Sequence, residues 1–232
     1  MPNFLQLCQK LRVKCRVSGT GPAAVTGQNA EYTRLIQYIN EAWMDIQRRH
    51  TDWNFLRAAC SATTLQGTYS YTAAAHFNLT DFGYWALDYE SGDTFRCYLT
   101  ATGTADEQFL GVAQYDEWRN LYLMGANRTS YQRPLLVAAA PDRSLVVGPI
   151  PAAGYTIAGD YYRAPSEMSS GVDTPALPSH FHWAIIYRAM MFYGASEAAP
   201  EVYDEGLREY SRMIREIEAV ELRQITLAPP LC

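Results

Sequence analysis

Phe181-His182-Trp183-Ala184-Ile185-Ile186-Tyr187-Arg188-Ala189-Met190-Met191-Phe192 decides the organisation of the chain. The run follows Leu177-Pro178-Ser179, which opens a helix, and its large apolar residues fall on nearly every side of that helix. Such a helix has no face to give to water and must be buried among other elements. Partners of the right kind lie towards both chain ends. After the break at Gly194 and Pro200, residues 201 to 224 read as a helix with Tyr203, Leu207, Tyr210, Ile214 and Ile217 at alternating spacings of four and three. Its outer face offers Asp204 and Glu205 to Arg208, and Glu209 to Arg212. At the other end, Phe4, Leu7, Cys8 and Leu11 share one face of a helix predicted over residues 3 to 16, and Asn3 with Gln6 forms a capping-box start. Ser18-Gly19-Thr20-Gly21-Pro22 stops it, and a longer helix follows from about 28 to 49, with Tyr32, Leu35, Ile36, Ile39, Trp43 and Ile46 in one stripe.

From Leu56 the period changes. Segments 56 to 66, 69 to 73, 94 to 99, 133 to 139, 144 to 147 and 155 to 163 carry the Thr, Tyr, Val and alternating side chains of strands. Pro141-Asp142, Gly148-Pro149 and Ala153-Gly154 punctuate them, and one helical turn pattern, Tyr115, Trp118, Leu121 and Tyr122, interrupts them. The expected class is therefore α+β: a helical bundle formed by both chain ends with an inserted β-rich, sandwich-like domain. The expected parts are residues 1–55 (N-terminal helices), 56–165 (the inserted domain), 166–224 (C-terminal helices packing on 1–55) and 225–232 (an extended tail).

A formal charge of -5 on 232 residues gives no global field to hold nucleic acid. Lys10 and Lys14 are the only lysines, so 17 of the 19 basic residues are arginines, and 17 tyrosines accompany them. Planar guanidinium forks and tyrosine rings suit desolvated contacts, so the composition leans towards an interface protein. Cys8, Cys15, Cys60, Cys97 and Cys232 are an odd number at irregular spacing without a C-x-x-C pair or a secretory signal, and are read as reduced thiols. Trp183 to Tyr193, the most apolar stretch, is too short for a membrane span and is interrupted by Arg188. The two glycosylation sequons, at Asn78 and Asn127, have no export signal to give them meaning.

Motifs for chemistry are missing. There is no phosphate-cradling P-loop, no nucleophile elbow, no H-E-x-x-H helix and no EF-hand loop. His180 and His182 would share a face on a strand and could hold a metal, but in a helix residues two apart diverge, so polar anchoring of a buried helix start is the preferred reading. Asp81, Asp88, Glu90 and Asp93 among Phe82, Tyr84, Trp85 and Tyr89 could line a sugar cleft, yet loops between strands have the same make-up. Arg48-Arg49-His50 could contact phosphate, and equally complements the negative end of a helix dipole. No catalytic, cofactor-binding or metal-binding residue is expected.

A family resemblance completes the reading. Asn3-Phe4-Leu5, Leu11-Arg12, Ser18 to Pro22, Gly27-Gln28, Ile39-Asn40-Glu41-Ala42-Trp43, Ile46-Gln47 and Asp52-Trp53 resemble the N-terminal part of the head-to-tail adaptor (connector) proteins of tailed bacteriophages. Leu145 to Pro151, Tyr155, Asp160 to Pro165, Asp173 to Pro178 and Phe181-His182 are similar to the end of that family's β domain and its return to helices. The resemblance implies a non-enzymatic virion protein of the head-tail neck, assembled in the bacterial cytoplasm. It would form a ring with itself, a dodecamer in such adaptors, join the portal protein to a tail or nozzle protein, and let genomic DNA pass without specific binding. Tyr203, Arg208, Tyr210, Arg212 and Arg215 on the last helix, with Leu227, Pro229, Pro230 and Leu231 in the apolar tail, are the expected portal or subunit contact. Two alternatives are another neck or tail-completion protein, and a carbohydrate-binding or hydrolytic phage module.

Overall fold

The computed structural model describes residues 1–89 and 94–223. Glu90 and Asp93 of the acidic cluster, and the tail with Leu227, Pro229, Pro230, Leu231 and Cys232, lie outside the described residues. The protein is α+β, and the chain divides into two compact units, residues 1–56 with the chain from Pro165 onward, and Arg57–Ala164.

The helical unit begins with α1 (Phe4–Lys14), whose capping box is complete: Asn3 Oδ1 accepts from the Gln6 amide at 2.9 Å, and Gln6 Oε1 accepts from the Asn3 amide at 3.1 Å. Two further amides at this helix start, those of Phe4 and Leu5, donate to the carbonyls of Asp173 and Gly171. α2 (Ala30–Arg49) buries Leu35, Ile36, Ile39, Ala42, Trp43 and Ile46. α5 (His182–Ser196) follows a 3-10 turn at Ser179–Phe181 and buries Ala184, Ile185, Ile186, Ala189, Met190 and Met191, so it occupies the interior that its all-round apolar sequence demands. It packs against α1, α2 and α6 (Pro200–Glu221).

The connection entering this unit is held by side-chain amides. Gln47 donates to the Ser166 carbonyl at 3.0 Å and accepts from its amide at 3.2 Å, and Asn40 does the same for Met168 at 3.0 and 3.1 Å. Residues seven apart on a helix share a face, and residues two apart in an extended chain share a side, so two amides grip one strand-like segment. Gln47 is 2% exposed, and these bonds satisfy a polar group that would otherwise be costly to bury.

The other unit is built on an eight-stranded sheet in the order β1 (Arg57–Thr63), β10 (Tyr155–Arg163), β4 (Phe95–Leu99), β5 (Gln108–Val112), β7 (Leu136–Ala139), β8 (Leu145–Gly148) and β2 (Ser70–Tyr71), with β3 (Phe82–Trp85) also on β10. All pairings in this sheet are antiparallel except β5 with β7. Alternate residues point inward: Ile157 and Tyr161 of β10, Phe95 and Cys97 of β4, and Cys60 and Ala62 of β1 join Tyr71, Trp85, Leu110, Val137, Leu145 and Val147 in one core. On β7 and β8 the opposite residues, Ala138 and Val146, meet Trp118 of α4 (Tyr115–Tyr122), so these strands are covered on both faces. A two-stranded parallel pair, β6 (Tyr131–Gln132) with β9 (Ile150–Pro151), completes the unit.

Several local expectations change. The strand expected over 69 to 73 ends at Tyr71, because Thr72 starts the short helix α3 (Ala73–His76). Phe82–Trp85, read as part of a loop, is a strand, since Tyr84 and Trp85 pair with Tyr162 and Tyr161. Gln108–Val112 is a strand outside the expected segments. Its alternation is broken by Gly111, and its pairing to β4 and β7 is what makes it a strand.

Candidate interaction surface

α6 is the element on which the sequence placed a contact, and its burial shows which way it faces. Gly206, Tyr210, Ile214 and Ile217 point inward. Asp204, Leu207, Arg208, Arg212, Arg215, Glu216, Ala219 and Val220 are exposed. Leu207, placed in the apolar stripe by its spacing, is 41% exposed instead. The reason is that Gly206 takes the inward position: a Cβ there would lie 2.8 Å from the Tyr187 carbonyl oxygen and 3.1 Å from Met190 Cβ. Without a side chain at 206 the backbones of α5 and α6 approach closely, and the helix turns Leu207 outward.

Of the residues expected to form the contact, Arg208, Arg212 and Arg215 stand on the outer face and Tyr203 is half-buried. Tyr210 does not belong with them. Its side chain is 5% exposed, with its ring 5.5 Å from the Arg188 guanidinium, because residue 210 lies one helical turn beyond Gly206 on the inward stripe. The outer charges pair locally: Glu209 with Arg212 at 3.2 Å and Arg208 at 3.4 Å, and Arg212 with Glu216 at 3.5 Å. Hydrogen bonding to Arg212 and then Arg208 holds the Glu209 carboxyl below its ordinary pKa. Glu205, expected to serve Arg208, reaches Lys14 of α1 at 2.8 Å. Arg215 has no ion-pair partner among the described residues.

Ion pairs behind this face hold the helices in place. Arg188, the one charged residue in α5, bonds to Asp45 of α2 at 2.8 Å and lies over the ring of Phe192 at 4.6 Å. Arg49 and His50 both meet Glu218 of α6, at 2.6 and 3.1 Å. Burial alone would raise the Glu218 pKa, but the bonds from Arg49 and His50 outweigh it and leave it lowered. Two members of the Arg48-Arg49-His50 cluster thus bind a helix, while Arg48 stays exposed.

The remaining chemical candidates are structural in their surroundings. His182 is buried, bonds to the Leu177 carbonyl at 2.8 Å and has its pKa lowered by desolvation, whereas His180 is exposed against the Phe181 ring. The anchoring of the helix start expected for this pair is therefore carried by His182. No group of three metal-ligating side chains occurs among the described residues. Asp81 accepts from the Tyr161 hydroxyl at 2.8 Å and pairs with Arg163 at 3.4 Å. Cys8, Cys15 and Cys60 are free and buried, with burial pushing their thiols up to about 12, and Cys97 to about 11. No described helix is long and apolar enough to cross a membrane.

The structural roles that the sequence did not disclose are those of Gly206, Asn40, Gln47 and Arg188. A glycine inside an amphipathic helix costs about 1 kcal/mol against alanine and marks a close approach. An arginine in an otherwise apolar helix calls for a carboxylate partner, which Asp45 supplies. Against known proteins, the family model described as SU10 adaptor protein matches residues 2–229, and no curated protein matches the chain.

Proposed function

We propose a role from one premise: the chain belongs to the SU10 adaptor protein family. A member of this family is a structural phage adaptor and a component of the virion. In our reading this chain is the subunit of a ring, a dodecamer as in head-to-tail adaptors, that joins the portal to the tail and extends the DNA channel. The match across residues 2–229 carries the reading, because it takes in both units.

The physical properties of the chain support it. A closed ring needs two different complementary surfaces on each subunit. Of the exposed arginines of α6, at 208, 212 and 215, the first two are ion-paired to Glu209, so less of their side-chain order remains to be lost on docking. They form the proposed contact with the portal. A net charge of -5 suits a channel through which DNA passes without being held.

Electron microscopy of the protein mixed with its cognate portal tests the role. The expected result is a ring added to the tail-side face of the portal. Absence of any added density at saturating protein would refute it.

A further inference from the structure

The exposed side of α2 borders a groove of about 280 Å³, lined by Glu41, Met44, Asp45 and Arg48 with Phe192 of α5 and Glu167 of the entering connection. A second hollow of about 250 Å³ shares Asp45 and Arg48 with it and adds Arg49 and Arg188. All of these residues belong to the helical unit. Part of the charge here is already matched, since Asp45 takes Arg188 at 2.8 Å and Glu218 takes Arg49 at 2.6 Å. Arg48, Glu41 and Glu167 are exposed and have no ion-pair partner among the described residues. Glu41, Met44 and Arg48 are about one helical turn apart in succession, so along about 10 Å of α2 the groove runs carboxylate, thioether, guanidinium. Met44 and Phe192, both half-buried, make its middle apolar, and a methionine adapts its shape to what packs on it.

The outer face of α6 carries the same order. Asp204 is exposed with no ion-pair partner among the described residues, and Leu207 is 41% exposed. Arg208 touches Glu209 at 3.4 Å and keeps 75% of its side chain exposed. Residues three and four apart share a helix face, so these three form one patch spanning about 6 Å of helix. The close approach at Gly206 is what turns Leu207 into it. Groove and patch match when the two helices run antiparallel: Asp204 then meets Arg48, Leu207 covers Met44 and Phe192, and Arg208 meets Glu41 and Glu167. The long arginine side chains absorb the difference in length. A parallel arrangement would instead set Asp204 against Glu41 and Arg208 against Arg48, and like charges repel. We propose that the α2 groove receives the first turns of α6 from a second copy of this chain, through Asp204, Leu207 and Arg208. The two surfaces are different, so the contact is head-to-tail and repeats around a ring. This rests on the ring reading above and supplies its two complementary surfaces. Arg208 then lies at the seam with the portal contact, which keeps Arg212 and Arg215.

The test mixes two full-length variants with the cognate portal under mild oxidation, one with Met44→Cys and a size tag, the other with Leu207→Cys, both with Cys232→Ser. Cys8, Cys15, Cys60 and Cys97 are buried and do not compete. The expected product is a mixed disulfide between the two chains, in excess over the like-with-like products. Arg48→Asp in the first variant, or Asp204→Arg in the second, should lower its yield by about tenfold, since each sets like charges together. Both positions are exposed without ion-pair partners among the described residues, so neither reversal breaks an ion pair within the chain. The two reversals combined set opposite charges together again and should restore the yield. No mixed disulfide, a yield that neither reversal lowers, or one that the combined reversals fail to restore would overturn the proposal. A ring on the portal without the mixed disulfide would sink this inference and leave the adaptor reading standing.

Discussion

Replacing Gly206 with alanine sets two known effects against each other, and the structure says which one wins. An alanine in a helix interior is favoured over glycine by about 1 kcal/mol, so helix propensity alone predicts stabilisation. Yet the new Cβ would sit 2.8 Å from the Tyr187 carbonyl oxygen, 3.1 Å from Met190 Cβ and 3.2 Å from Met191 Cγ. The first neighbour is helix backbone, which cannot yield without moving α5, and α5 is buried against three other helices. Over-packing of this kind costs about 1–3 kcal/mol, and the rigidity of the carbonyl points to the upper part of that range. The net expectation is a loss of about 1–2 kcal/mol, or a fall in Tm of roughly 2–8 °C for a chain of this size. Thermal and urea unfolding should be followed by circular dichroism at 222 nm, because the four longest helices all belong to this unit. Ala219→Gly, at an exposed position of the same helix, calibrates propensity alone and should cost about 1 kcal/mol. If Gly206→Ala raised the Tm, the close approach of α5 and α6 would be wrong.

Trp53→Ala removes a side chain with no exposure whose Nε1 donates to the Ile46 carbonyl at 2.9 Å, and should cost about 3–5 kcal/mol in a urea titration. Gln47→Ala leaves the Ser166 amide and carbonyl without their partner and should cost about 2 kcal/mol, with faster hydrogen exchange at Ser166 as its specific mark. Burial lowers the His182 pKa, so below its ordinary value of about 6.5 the unfolded chain takes up a proton that the folded chain resists. Stability should therefore fall as pH drops through that value and level off at the lowered one, and His182→Gln should remove this part of the slope. Asp106 behaves as an acid with a lowered pKa, held down first by Arg133 and then by the Leu99 amide. Its contribution is present above the ordinary aspartate value of about 3.9 and is lost as pH falls through the lowered one, so Asp106→Asn should flatten the acid limb of stability against pH.

The sequence by itself determined what depends on near neighbours along the chain. Periodicity placed the helices: residues 3 to 16 against α1 at Phe4–Lys14, 28 to 49 against α2 at Ala30–Arg49, and 201 to 224 against α6 at Pro200–Glu221. The capping box at Asn3 and Gln6 was legible for the same reason, since both its bonds close over three residues. The all-round apolar run from Phe181 forced burial of α5, because no orientation could expose it cheaply. Alternation likewise marked β4 and β10 before any partner strand was known.

Tertiary structure decided what depends on residues far apart in the chain. β3 and β5 lack a pattern of their own and become strands by pairing with β10, β4 and β7. Spacing along α6 offers Glu205 to Arg208, and it is the packing of α1 and α6 against α5 that delivers Lys14 instead. The facing of α6 shows the distinction most plainly. Spacing assigns Leu207 and Tyr210 to one stripe, but the stripe is wide enough to allow a rotation, and burial of backbone against backbone at Gly206 selects the one that leaves Leu207 out and Tyr210 in. A hydrophobic pattern states which residues prefer shelter. Only close packing, which falls off within an ångström, states which of them receive it.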